Sequence, residues 1–214
     1  RQEMRRLIAL LLAATLYAAP SHADGEAAGD FDYYVLSLSW SPTFCALEGE
    51  ERDNPQCDRA LGWVLHGLWP QYENGWPSYC RTTERNPSRS QTEEMVDIMG
   101  SSGSAWHQWK KHGVCSGLSS ADYYALARQA FGMIRKPPVL RKLNKPVTLP
   151  ASLIEEAFLQ SNSKLTADMI TITCKDNRIQ EARICLTKDL ERRKCGRDTI
   201  RDCSMTKALF DPVR

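Results

Sequence analysis

A chain of 214 residues with 28 basic and 26 acidic side chains is long enough for one sizeable domain and is close to neutral. That balance argues against a tight, sequence-independent binder of duplex nucleic acid, which needs many phosphate contacts from a large basic face. It leaves room for an enzyme that grips one or two nucleotides locally.

In chain order, the first signal is a leader. Arg5 and Arg6 precede the apolar run Leu7 to Leu16, and Ser21-His22-Ala23 offers a small-residue cleavage site. Residues 1–23 are therefore expected to be a signal peptide, with 1–3 upstream of the natural start at Met4, and 24–214 the mature domain. The run Leu7 to Ala19 is shorter than the roughly 20 apolar residues that span a bilayer, so no anchor is expected after its removal. Without Arg1, Arg5, Arg6 and Glu3, the 28 basic and 26 acidic residues become 25 of each.

Phe31 to Trp40 is rich in aromatic and β-branched residues and predicts a strand, ended by Pro42. Glu48 to Arg59 reads as a charged surface loop. Leu61 to Trp69 predicts a buried strand with a histidine in its middle, closed by Pro70, and Gln71 to Arg89 reads as loop and turns. Helices are predicted around Thr92 to Met99, Ser104 to Lys111, Ala121 to Ile134 and Ala151 to Leu159, where apolar residues recur at three- and four-residue spacing. Ile170 to Cys174 and Ile179 to Leu186 flank Lys175-Asp176-Asn177-Arg178 as a hairpin would. This irregular order predicts a single α+β domain with a central antiparallel sheet flanked by helices.

Eight cysteines follow the leader, Cys45, Cys57, Cys80, Cys115, Cys174, Cys185, Cys195 and Cys203. An even number behind an export signal points to disulfides, and the lack of any C-x-x-C pair argues against a zinc ribbon.

Two segments carry chemistry. In Val64 to Pro70, His66 sits among apolar residues and precedes Gly67; alone it would read as a satisfied core histidine. In Ala105 to Gly113, helical geometry of about 100° per residue puts His107, Gln108, Lys111 and His112 within an arc of about 140°, with Trp106 and Trp109 on the other side. Gly113 stands where a helix C-cap wants glycine, which predicts His112 at the helix end near solvent. Two imidazoles and an ammonium suit a phosphodiester: one ring accepts a proton from the attacking hydroxyl, another donates to the leaving oxygen, and Lys111 offsets charge on phosphorus. The zincin pattern of histidines at i and i+4 with an intervening glutamate is not met, so no metal is expected.

His66-Gly67-Leu68-Trp69-Pro70 and Trp106 to Cys115 (WHQWKKHGVC) resemble the two active-site segments of the ribonuclease T2 family, with support from Ser37 to Cys45 and Trp76 to Cys80. The resemblance implies a cofactor-free endoribonuclease that cuts single-stranded RNA, with low base specificity, through a 2′,3′-cyclic phosphate. It implies His112 as base, His66 as acid, His107 and Lys111 as phosphate and transition-state contacts, and Trp69 as a ring that stacks on a base. It also implies the disulfides Cys80 to Cys115, Cys174 to Cys203, Cys185 to Cys195 and Cys45 to Cys57; a monomer is expected, and the leader points to a periplasmic or secreted location. DNA, lacking the 2′-hydroxyl, should resist. One departure stands out: Gln108 occupies the place of the family's glutamate, which predicts a less basic His112 and reduced activity. It also keeps open an alternative, a degenerate relative that binds RNA or a partner without cutting.

Overall fold

The computed structural model describes residues 26–214, so the expected leader lies outside the described residues. Six strands form one sheet in the order β2-β1-β5-β6-β3, with β4 pairing β5. β1 (Tyr33–Trp40) lies antiparallel between β2 (Trp63–Gln71) and β5 (Arg178–Leu186). The hairpin of β4 (Ile170–Lys175) and β5 forms as predicted, turning at Asp176 and Asn177, both with positive φ, the conformation that tight hairpin turns select Asn and Asp for. The sheet is antiparallel except where β5 meets β6 (Ala208–Phe210); β6 pairs in turn with β3 (Val147–Leu149). Neither three-residue strand was foreseen.

The predicted helices form as α4 (Ser102–Lys111), α5 (Ser120–Met133) and α6 (Ala151–Ser161). The helix expected over Thr92 to Met99 is instead two short pieces, α2 (Arg89–Glu93) and α3 (Val96–Met99). α2 starts early because Ser88 and Gln91 form a capping box that satisfies two free N–H groups. α1 (Ser41–Phe44) follows β1 directly, with Pro42 in its first turn, where a missing N–H costs nothing. The charged segment expected as loop begins with a π-helical turn, Cys45–Gly49. The four disulfides join Cys45 to Cys57, Cys80 to Cys115, Cys174 to Cys203 and Cys185 to Cys195. Among the described residues no helix is long and apolar enough to cross a membrane.

Pro70 does not close β2. It pairs in register with Tyr34, and the strand runs on to Gln71. β2 is an edge strand, so a residue without an N–H is tolerated there.

The two faces of the central strands differ. Leu36, Leu38 and Trp40 of β1 pack with Leu65, Leu68, Ile184, Phe158 and Phe210 in the main core. The opposite face carries Tyr33, Val35, Trp69 and Cys185 as a small apolar cluster. Farther along β1 that face becomes polar, since Ser37 and Ser39 lie beside Arg183 and Glu181 of β5.

A β-bulge in β2 decides which face each side chain joins. Ser37 pairs with Gly67 and Leu38 with Leu65, so His66 is the extra, unopposed residue. One inserted residue reverses the alternation beyond it. Trp63 and Leu65 thus stay in the core, while Gly67 and Trp69 turn to the polar face.

Candidate active site

His66, set by the bulge, projects from the sheet with its side chain 42% exposed. Its Nδ1–H donates to Glu181 Oε1 at 2.5 Å. An ionised carboxylate can only accept, so this contact fixes the proton on Nδ1 and leaves Nε2 for other work. The other carboxylate oxygen accepts from Arg183 Nε at 2.8 Å and from Nη2 at 2.6 Å. Burial alone pushes the Glu181 carboxyl up; His66 and Arg183 outweigh it and hold the group well below the usual carboxylate range.

Trp69 is the hinge between strand and helix. Its ring meets His66 edge-on, with centroids 5.1 Å apart, and stacks on His112, also at 5.1 Å. Its indole N–H donates to Gln108 Oε1 at 2.8 Å. Gly67 makes this closeness possible: a Cβ there would stand 2.3 Å from both Gln108 Oε1 and Trp69 Nε1. Trp69 is 9% exposed and lies between the two histidine rings, with the Arg183 guanidinium 5.2 Å from its centroid.

His112 ends α4, as its place before Gly113 predicts, but it is buried at 7% exposure rather than near solvent. Its Nδ1 has no hydrogen-bond partner among the described residues. Burial first, then Lys111, His66 and His107, lower its pKa to about 3. The His107 ring, exposed on the same helix, is also lowered, by partial burial and then by Lys111 and His66. Gln108 is buried at 3%, and Trp109 is fully buried, its N–H donating to Asn86 Oδ1. Trp106, expected to pack, is 39% exposed.

Gly113 does not adopt the left-handed conformation expected of a C-cap; it opens a 3₁₀ turn, Gly113–Cys115. Glycine is required there by space, because a Cβ would stand 2.6 Å from Trp109 Cε3 and 2.9 Å from the Tyr123 ring. The Cys80 to Cys115 disulfide and a hydrogen bond from Tyr79 N–H to Lys111 O tie the loop after β2 to this helix end.

A cleft of about 460 Å³ opens beside these groups, lined by His66, His107, Gln108 and Glu181 and extending past Arg52, Asn54 and Gln180. Among the described residues no group of three or more His, Cys, Asp or Glu side chains is arranged to hold a metal ion. Of the residues singled out from the sequence, the structure brings His66, His107 and Gln108 to the cleft and His112 onto the Trp69 ring; Glu181 and Arg183, which join them, were not among those expected. Charged residues two apart in an otherwise apolar predicted strand were the available signal.

The sequence model of the ribonuclease T2 family matches residues 31–195. A ribonuclease from Aeromonas hydrophila is 46% identical over 126 residues, covering 58% of this chain and 56% of that protein. A probable ribonuclease from Haemophilus influenzae is 31% identical over 130 residues, covering 54% and 48%. The chain thus spans about half the length of these curated relatives. Among solved structures, the RNase-related protein from Calystegia sepium superposes with a TM-score of 0.64 at 20% identity, covering 85% of this chain and 96% of that one. RNase NT in complex with 5′-AMP gives 0.62 at 20% identity, covering 86% and 99%. At that identity the likeness shows the fold.

Proposed function

The chain belongs to the ribonuclease T2 family, and from that premise we propose that it is an endoribonuclease that cuts RNA through the RNA's own 2′-hydroxyl. The observation that carries this reading is the single indole of Trp69 with His66 at its edge and His112 on its face. Residues far apart in sequence meet around one ring, in opposite surroundings. His112, buried and with its pKa lowered, is unprotonated at neutral pH and free to accept. The Glu181 carboxylate on Nδ1 orients the His66 ring, and the imidazolium form of that ring carries the Nε2–H that donates.

In the first step the 2′-oxygen bonds to phosphorus while His112 takes the hydroxyl proton. The phosphorus to O5′ bond breaks, and His66 Nε2 gives its proton to O5′. The products are a 2′,3′-cyclic phosphate and a free 5′-hydroxyl. In the second step water adds to phosphorus and the phosphorus to O2′ bond breaks; His66 takes the proton of the water and His112 returns its proton to O2′, leaving a 3′-phosphate. Lys111 and His107, which lie on the same helix as the base, offset the charge that builds on phosphorus. No step calls for a metal or cofactor.

We extend the reading to single-stranded RNA with low base selectivity, to a monomer, because every group comes from one chain, and to export as residues 24–214 after removal of 1–23. Four disulfides support an oxidising location, periplasmic or extracellular. DNA, without the nucleophile, should not be cut. Gln108 and the low basicity of His112 favour one competing reading, a relative that binds RNA or a partner without cleavage. Digestion of polyuridylate in the presence of a chelator separates the two. Cleavage that persists in chelator and falls by about 10²–10⁴-fold in His66→Ala and in His112→Ala supports the enzyme. No cleavage by the unaltered chain supports the binder.

A further inference from the structure

We infer that Glu181, clamped by Arg183, is the positioning residue of the general acid, holding His66 Nε2 toward the leaving 5′-oxygen and matching the ring's charge while it is protonated. This rests on the ribonuclease reading above and adds to it a residue from β5, outside both active-site segments. The helix offers no carboxylate to either histidine, since Gln108 is neutral and its side-chain oxygen is already taken by Trp69. The sheet supplies one.

Three features mark Glu181 as more than half of a structural ion pair. Its side chain is 2% exposed, so its charge acts with little screening. Both Arg183 nitrogens bind Oε2, which fixes the carboxylate plane and aims Oε1 at the imidazole. Its backbone is locked between Ser39 of β1 and Thr173 of β4 in the middle of the sheet, so the group cannot swing away without breaking two ladders. A carboxylate needed only to neutralise Arg183 would not require its second oxygen on the one bulged histidine. On the cleft side, His66 faces His107 and His112 of the helix segment, both pushed toward the neutral form, and Glu48, whose carboxylate is engaged by Lys175 at 2.6 Å while Glu181 touches the ring itself. Glu181 is therefore the anion nearest to it among the groups placed here.

The reaction itself supplies the test, because only a poor leaving group needs the acid. A dinucleoside phosphate leaves as a 5′-alkoxide and requires proton donation; uridine 3′-(4-nitrophenyl phosphate) leaves as a stable phenolate and does not. We expect Glu181→Gln to lower kcat/KM for uridylyl-3′,5′-adenosine by about 10–100-fold, mostly in kcat, and to change the aryl ester by less than about threefold. His66→Ala should show the same selective loss, and adding Glu181→Gln to it should cost nothing further, as expected of residues acting through one another. Because Glu181→Gln leaves the half-buried Arg183 without its ionic partner, the double variant Glu181→Gln/Arg183→Met removes both charges and should keep the same selectivity. Equal losses on both substrates, or no loss on either, would overturn the positioning role. Absence of a cyclic phosphate from the unaltered chain would instead overturn the ribonuclease reading, and is seen before any variant is made.

Discussion

The two histidines share one indole and differ in almost everything else. His66 belongs to the sheet, is half-exposed, and has a buried carboxylate on its ring; His112 belongs to the helix end, is buried, and has three cationic or imidazole neighbours and no anion. Burial and the local supply of charge separate them. The strand row that carries Ser37 and Ser39 also carries the ions Glu181 and Arg183 beside His66, whereas the helix segment around Gln108 gives His112 the Lys111 cation and no carboxylate. The difference teaches that surroundings, more than distance, set the two rings apart, and it is on this that the proposed roles rest: the ring beside a carboxylate as donor, the ring kept neutral by burial as acceptor.

The largest break in that comparison comes from removing the separator that holds the rings. Gly67→Ala puts a methyl 2.3 Å from both Gln108 Oε1 and Trp69 Nε1, so the indole must move. We expect a loss of about 1–3 kcal/mol in stability from overpacking, and a fall in RNA cleavage greater than the stability loss explains, read by urea unfolding and initial rates. A similar stability loss in Gly113→Ala, which presses on Trp109 and Tyr123 away from the cleft, is the control for packing alone.

Next comes giving the helix side the charge it lacks. Gln108→Glu keeps an acceptor for the Trp69 N–H and places an anion on the helix turn that ends in His112. It should raise kcat/KM on polyuridylate several-fold and move the acid limb of the pH–rate profile upward from its position near the His112 pKa of about 3. An unchanged rate refutes the view that Gln108 weakens the base.

The last effect is on the pH dependence of stability. His112 has a folded pKa below its unfolded value of about 6.5, so between the two the unfolded chain binds more protons. Its contribution is fully present above pH 6.5 and is lost as pH falls toward 3. His112→Asn should therefore flatten the decline of the urea midpoint between pH 6.5 and 4 relative to the unaltered chain; parallel curves would show that burial does not keep the ring neutral.

Much of this was legible in the sequence, and what was not has a common cause. Leu65-His66-Gly67-Leu68 breaks the two-residue alternation of a strand, and the helix after Ser101 announces its polar face by spacing alone. Pro70 was misread because edge or centre is a property of the sheet, not of the segment. β3 and β6 are three residues each, and only their pairing at long range makes them strands. Gly113 stands where a left-handed cap would, yet its reason is the Trp109 and Tyr123 rings, which no local pattern reveals. Glu181 and Arg183 look like solvated charges until β1 lies beside them. The contacts that bury Trp69 come from His112 and Gln108, which lie far along the chain and give the strand segment no local sign.

The most direct test of the account is the chemistry of the cut ends. Single-stranded RNA digested with excess chelator and sampled early should yield fragments ending in 2′,3′-cyclic phosphate with free 5′-hydroxyls, maturing to 3′-phosphates, while DNA of the same sequence stays intact. Fragments with 5′-phosphates and 3′-hydroxyls, or cleavage of the DNA, would contradict it.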